Sequence, residues 1–383
     1  MACSIFSLET FTMALTIDFH AEQFLIAVPG KQLVPAINEW PGWKRAPSGT
    51  YYAPAWPSSI LAVARTATPL GADPLRWTEA ALKAREKIMV AFFDAIEALN
   101  TQGNLSHGCP TERGSKRHQA QAVVALRNMD WRALLADDMG LGKTSTALWA
   151  AHDAGCKHIL VICPVSVKFN WQNEIIATLG DRWFVQVIDG DSRRRAQQLA
   201  EVKGHENGTT AAGVATIINY DLLRHLSEDQ LSQLGRFVEK NMLLLDESHY
   251  LKSRDSDRTE LVKKIAGHAR HVIAMTGTPI RNLADDLFSQ VDIIRPGTWT
   301  SYRDFAKRHL VIRAVKFGKR EVHKVVGVRN LDALNAVMNT LQIKRAKHEV
   351  LDLPPKTYTF PELELDGDLL KVYKEMKEFA RIE

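Results

Sequence analysis

Ala136-Asp137-Asp138-Met139-Gly140-Leu141-Gly142-Lys143-Thr144 closes the apolar run Ala133-Leu134-Leu135-Ala136 with two glycines, a lysine and a hydroxyl. The run reads as a buried strand, and Ser145-Thr146-Ala147-Leu148-Trp149-Ala150 reads as the opening of a helix. Glycines at such a strand-to-helix turn bring backbone N–H groups to a helix N-terminus, where anions are favoured. Residues Asp138 through Thr144 then cradle the phosphates of a nucleotide, Lys143 reaches the β- and γ-phosphates, and Thr144 holds Mg²⁺. The general pattern G-x-x-x-x-G-K-[ST] asks for glycine where this chain has Asp137, so pattern alone leaves the match incomplete.

A second stretch completes the chemistry. Met242-Leu243-Leu244-Leu245 is a strand-like run that delivers Asp246-Glu247-Ser248-His249, two carboxylates at a strand's C-terminal end, where open α/β sheets bind ligands. Asp246 can hold Mg²⁺ through water, while Glu247 polarises the attacking water. A solvated acidic turn is the plain alternative for the pair alone; the lysine loop beside it decides for an NTP site.

These residues resemble motifs I and II of the Swi/Snf-type ATPases of the second helicase superfamily, whose first motif commonly reads D-[DE]-M-G-L-G-K-T, so that Asp137 is expected there. Further stretches resemble the family's motifs in order. They are Leu160-Val161-Ile162-Cys163-Pro164 with Trp171 and Glu174 (motif Ia), Asn219-Tyr220-Asp221-Leu222-Leu223 (Ib), and Met275-Thr276-Gly277-Thr278-Pro279-Ile280-Arg281-Asn282 (III). Lys344 to Val350, with Leu353-Pro354-Pro355-Lys356, resembles the basic segment leading out of the first motor lobe. Gln119 stands where relatives have an adenine-contacting glutamine.

The resemblance implies ATP and Mg²⁺ as ligands, with Lys143, Asp246 and Glu247 as the catalytic set. It also implies duplex or forked DNA as partner, and Thr276, Gly277, Thr278 and His249 as the coupling between nucleotide and DNA. For the threonines, a satisfied helix N-cap is the rival reading. Ser248, where many relatives have alanine, and the following Tyr250-Leu251-Lys252 resemble the annealing-helicase branch, which remodels forked DNA. The aromatic-rich stretch with Trp40, Trp43, Tyr51, Tyr52 and Trp56 resembles the small HARP-type domain ahead of the motor in that branch; an unrelated α+β module with an ordinary aromatic core is the other reading.

At 383 residues, with 45% apolar and 24% charged residues, the chain belongs with globular proteins of two or three domains. A net charge of +5 permits a nucleic-acid partner without demanding one. Cys3, Cys109, Cys156 and Cys163 have neither zinc-site nor disulfide-framework spacing, which suits a reducing, intracellular setting, cytoplasmic or nucleoid/nuclear. The first twelve residues lack a basic n-region and no run reaches membrane-span length, so neither secretion nor membrane insertion is expected.

Alternating strands and helices from Gln119 to Met275 predict a parallel sheet wrapped by helices, the RecA-like α/β class, with a small N-terminal α+β module. The expected organisation is a tail at 1–12, an aromatic-rich module at 13–67, a helix and linker at 68–112, an ATP-binding lobe at 113–356, and at 357–383 the start of a connection to a second lobe. Strands are expected at 133–136, 158–162, 184–188, 214–218, 242–245 and 271–275. All the motifs fall just after strands, so one sheet edge would gather the chemistry.

Between Arg303 and Arg329, Lys316, Lys319, Arg320 and Lys324 flank a hairpin turn at Phe317-Gly318-Lys319 and are candidates for phosphate-backbone contact; a solvated hairpin is the plain reading. Arg193-Arg194-Arg195 reads as a solvent-facing helix start. In relatives a second lobe supplies arginines to the γ-phosphate, and its motifs do not appear before Glu383, so a truncated or split motor needing a second-lobe polypeptide is expected. The alternatives are a nucleotide- and DNA-binding module without turnover, a chromatin-remodeller-like motor half, and a restriction-type or phage replication motor.

Overall fold

Five strands of the chain, Arg132–Leu135 (β6), His158–Cys163 (β7), Gly213–Asn219 (β9), Met242–Asp246 (β10) and His271–Met275 (β11), carry side chains that are buried almost without exception. Burial on both faces is the signature of a parallel sheet covered by helices on each side. The computed structural model describes residues 16–27, 40, 42–48, 50–67, 76–101, 114–208, 211–279, 284–317, 320–352 and 367–379. With Trp183–Val187 (β8) and Gln342–Ile343 (β14), these strands form a seven-stranded sheet in the order β14-β6-β11-β10-β7-β9-β8, all neighbours parallel. The α/β class expected from the alternation is the one observed. The expected strands are all present within about one residue; β14 is an addition that its two-residue length hides from periodicity.

Period-two alternation sorts the strand residues into two cores. Leu134, Leu160, Ile162, Leu243, Leu245 and Val272 point to one face, where they meet helices Glu228–Val238 and Asp257–His268. Leu135, Ile159, Val161, Leu244, Ile273 and Met275 point to the other, where Arg117–Asn128 and Lys143–Asp153 pack. The order places β11 between β6 and β10, so the loops after these three strands, those of Asp137, Thr276 and Asp246, are neighbours at one edge.

The N-terminal module is a five-stranded sheet, ordered β3-β4-β2-β1-β5, of Thr16–His20 (β1), Gln23–Ala27 (β2), Lys44–Arg45 (β3), Tyr51–Pro54 (β4) and Arg76–Trp77 (β5). Its core contains Ile17, Phe24, Trp40, Trp43 and Tyr51, all buried, so these aromatics are spent on packing. Helix Glu79–Asn100 gives Ala81 to that core and Ala95 and Ala98 to the lobe's core.

The module also touches the lobe through Trp56, whose Nε1 donates to Pro296 O at 3.3 Å and whose ring lies 5.3 Å from the Arg295 guanidinium. Arg295 and Arg132 are buried and donate to backbone carbonyls. Arg295 reaches Thr340 O at 2.7 Å and Arg132 O at 3.0 Å, and Arg132 reaches Ile294 O at 2.7 Å. Burial pulls both guanidinium pKa values down to about 10.

Leu310–Phe317 (β12) and Arg320–Val328 (β13) pair antiparallel as a sheet of their own, Phe317 opposite Arg320. Residues 348–383 form a second unit, whose described part includes helix Gly367–Phe379. The arginine run departs from expectation at Arg195, which is buried. Its guanidinium donates to Gly190 O and His225 O, because a helix start next to a loop offers carbonyls that a side chain this long can reach; Arg193 and Arg194 are exposed. Among the described residues no helix is long and apolar enough to cross a membrane.

Candidate nucleotide site

The loop after β6 turns at Gly140 (φ +84) and Gly142 (φ +77), left-handed positions that residues with a Cβ adopt at a cost. At Gly142 a Cβ would also collide with the Gln119 side chain. Helix Lys143–Asp153 starts immediately behind, with Gly142 as its N-cap. Lys143 Nζ donates to Asp137 O at 2.7 Å and Asp138 O at 3.2 Å. Burial lowers the pKa of this ammonium; Glu247, Asp137, Asp246 and Asp138, all near enough to act on it, push it back up.

Asp246 ends β10 under several constraints. Trp171 Nε1 donates to its Oδ2 at 2.8 Å, the backbone N–H of Glu247 donates to its Oδ1 at 3.0 Å, and Tyr220 OH donates to its main-chain carbonyl at 2.8 Å. Burial, with Glu247 adding to it, nevertheless raises the Asp246 pKa, since an anion is held there with too little solvent around it. Burial also raises the Tyr220 hydroxyl well above its usual range.

Glu247 takes a left-handed backbone (φ 47, ψ 53), a conformation that costs a non-glycine residue roughly 1 kcal/mol and clusters at functional sites. Its Oε2 accepts from Thr276 Oγ1 at 3.2 Å and lies 3.0 Å from His249 Nδ1. His249 Nδ1 is 3.1 Å from Thr276 Oγ1, which also accepts from the N–H of Thr278 at 3.2 Å. Carboxylate, imidazole and hydroxyl thus form one triangle across the loops of β10 and β11. Gly277 completes the contact. A Cβ there would stand 3.1 Å from Met139 Cγ and 3.7 Å from Lys143 Nζ, so the β11 loop lies against the lysine loop with no side chain between.

Ser248 is fully buried and donates to Gln290 Oε1 at 2.8 Å, while Gln290 Nε2 donates to Pro279 O at 2.9 Å. A hydroxyl at position 248 therefore ties the acidic loop to the segment after Thr278, which alanine could not do. Gln119 accepts from the Lys116 N–H at 2.9 Å and turns its amide toward Leu141 O (3.3 Å) and Gly142 O (3.4 Å), against the lysine loop. Thr144 lies half-buried in the first turn of its helix.

The sequence shows Trp171 and Tyr220 only as members of motif-like stretches; their grip on Asp246 emerges from the fold. Tyr220 stacks on Tyr250 with ring centroids 5.7 Å apart, and Arg258 covers both rings at 5.9 and 5.3 Å. Ile280, Arg281, Asn282 and Lys319 lie outside the described residues, as do the side chains of Lys316 and Arg320; Lys324 is exposed on β13, opposite Arg313.

The SNF2-related domain family matches residues 117–383, the whole stretch that carries these loops. The chain belongs to that family. The parallel sheet and the loops after β6, β10 and β11 all lie within the matched residues. The DNA annealing helicase and endonuclease ZRANB3 of Bos taurus is 32% identical over 243 residues, a stretch covering 62% of this chain and 21% of that protein. A Caenorhabditis elegans homologue of the SWI/SNF-related matrix-associated actin-dependent regulator of chromatin subfamily A-like protein 1 is 29% identical over 62% of this chain and 32% of its own length. The chain thus spans about a fifth to a third of the length of these curated relatives. Among solved structures, the Sulfolobus solfataricus SWI2/SNF2 ATPase core in complex with dsDNA aligns with a TM-score of 0.49 at 24% identity, covering 64% of this chain and 47% of that one.

Proposed function

We propose that this lobe binds ATP with Mg²⁺ and forms one half of a DNA-dependent ATPase of the translocating, fork-remodelling or annealing type. The observation that carries the reading is the approach of three loops: Gly277 lies against Met139 and Lys143 of the lysine loop, while its neighbour Thr276 donates to the Glu247 carboxylate of the acidic loop.

The donor set suits the ligands. Lys143 exchanges the carbonyls of Asp137 and Asp138 for the β- and γ-phosphates, and the glycine turn at Gly140 and Gly142 presents the N-terminus of helix Lys143–Asp153 to them. Thr144 and Asp246 would hold the cation, and Asp246, an anion raised in pKa by burial, is the group such a cation relieves. Mg²⁺ supplies charge neutralisation of the phosphates when bound. Glu247 orients and polarises the attacking water, and Gln119 contacts the adenine edge.

Thr276 and His249 share the Glu247 carboxylate, so a change in what that carboxylate binds is felt by the β11 loop. Through Thr276, Gly277 and Thr278 the nucleotide state reaches a bound strand. Duplex or forked DNA is the partner, by likeness to relatives described as annealing helicases. The hairpin bearing Arg313 and Lys324, with Lys316, Lys319 and Arg320 near its turn, offers sequence-independent phosphate contacts. A second lobe, on this or another polypeptide, supplies the arginines that accelerate turnover.

The test is ATP hydrolysis by the purified chain, with and without forked DNA and with an added second-lobe polypeptide. DNA-stimulated hydrolysis that Lys143→Ala and Glu247→Gln each reduce by at least about a hundredfold supports the reading. No hydrolysis under any of these conditions, with ATP and DNA both bound, leaves a binding module and overturns the motor.

A further inference from the structure

The lysine loop is held from its far side by the segment that follows β14. Leu134 N–H donates to Leu341 O at 2.8 Å, Ala136 N–H to Ile343 O at 2.7 Å and Asp138 N–H to Arg345 O at 3.0 Å. The parallel ladder between β6 and β14 therefore runs past the end of both strands and into the phosphate loop. The Lys347 N–H returns a bond to Asp138 Oδ2 at 3.0 Å.

Arg345 adds a side-chain clamp. Its Nε and Nη2 grip the two oxygens of Asp137 at 3.1 and 2.5 Å, in a pair whose side chains are 11% and 3% exposed. Its Nη1 donates to His118 O at 2.7 Å, and the His118 ring meets Leu141 O at 3.0 Å. One guanidinium thus joins the first residue of the loop to the helix that carries Gln119. A glycine at position 137 would offer nothing to hold; the aspartate is there to be held.

We propose that Arg345 is a positioning residue for the ATP site: through Asp137 and His118 it sets the shape of the phosphate loop, and it makes ATP affinity depend on the place of the strand by which the chain leaves the lobe. The inference rests on the ATP-binding reading above. A planar fork with fixed donors is needed, because the same group must satisfy two carboxylate oxygens and a carbonyl at once. Lysine has the charge but not the fork.

The experiment is equilibrium binding of a fluorescent ATP analogue with Mg²⁺ to the full chain, alongside thermal melting without nucleotide. Arg345→Lys is expected to weaken binding about tenfold while melting close to the parent, the size of loss typical when a supporting contact behind a ligand-binding group is removed. Asp137→Asn, which leaves the His118 contact in place, is expected to lose part of that affinity, and Asp137→Asn with Arg345→Lys to lose no more than Arg345→Lys alone, since the Asp137 contact is already broken there. Unchanged affinity in Arg345→Lys overturns the proposal. So do losses that multiply in the double variant, because Arg345 would then touch the nucleotide directly. Lys143→Ala is the separate control: if it binds the analogue as tightly as the parent, the ATP-site reading itself has failed, whatever Arg345 does.

Discussion

Asp246 shows how a residue that the sequence points to depends on neighbours that the sequence does not. Its place after an apolar strand was readable, as were Lys143 and Glu247, because strand-then-charge is a local pattern. The indole that aims its Oδ2 comes from position 171 and the phenol beneath its carbonyl from position 220, separations of 75 and 26 residues that only the sheet order closes. Trp171→Phe keeps most of the buried volume and removes one hydrogen bond to a carboxylate. The expected result is Mg²⁺-dependent nucleotide affinity lowered by about ten- to a hundredfold, with little change in melting temperature. Titration with Mg²⁺ at fixed nucleotide checks it; an affinity equal to the parent's would show that the indole does not orient Asp246. Arg345 was legible only as part of a basic segment, since its partner lies 208 residues upstream.

At the scale of elements, the strands of the large sheet were legible because burial on both faces leaves runs of Leu, Ile and Val with charged ends. β14 was not, because two residues carry no period. Arg195 was misplaced because charge runs are usually solvated, and a carbonyl-rich loop nearby is invisible to composition.

The helix Tyr302–His309 carries a pH dependence that follows from packing. His309 lies against Trp299 and Phe305, and burial pulls its pKa from the usual 6.5 to about 4. Below pH 6.5 the unfolded chain binds a proton that the folded chain refuses. Stability is therefore lost as pH falls from about 6.5 to about 4, by up to roughly 3 kcal/mol from this group. His118 and His271 are shifted in the same direction, mainly by burial, and add to the slope. Denaturant unfolding at pH 7, 6, 5 and 4 should show the decline, and His309→Phe should flatten part of it. An equal slope in the variant would place the proton uptake elsewhere.

Taken as a whole molecule, the N-terminal module and the lobe share the helix Glu79–Asn100 and the Trp56–Arg295 contact. The loops that carry Lys143, Glu247 and Thr276 are far apart in sequence and adjacent in space, and the proposed function makes one nucleotide site of them. Calorimetric titration of ATP into the intact chain, with Mg²⁺ and with a chelator, tests that claim most directly. The account predicts Mg²⁺-dependent binding that Lys143→Ala weakens by about a hundredfold, and Asp246→Asn binding with the same affinity whether Mg²⁺ is present or not. Parental, Mg²⁺-dependent affinity in both variants would contradict it.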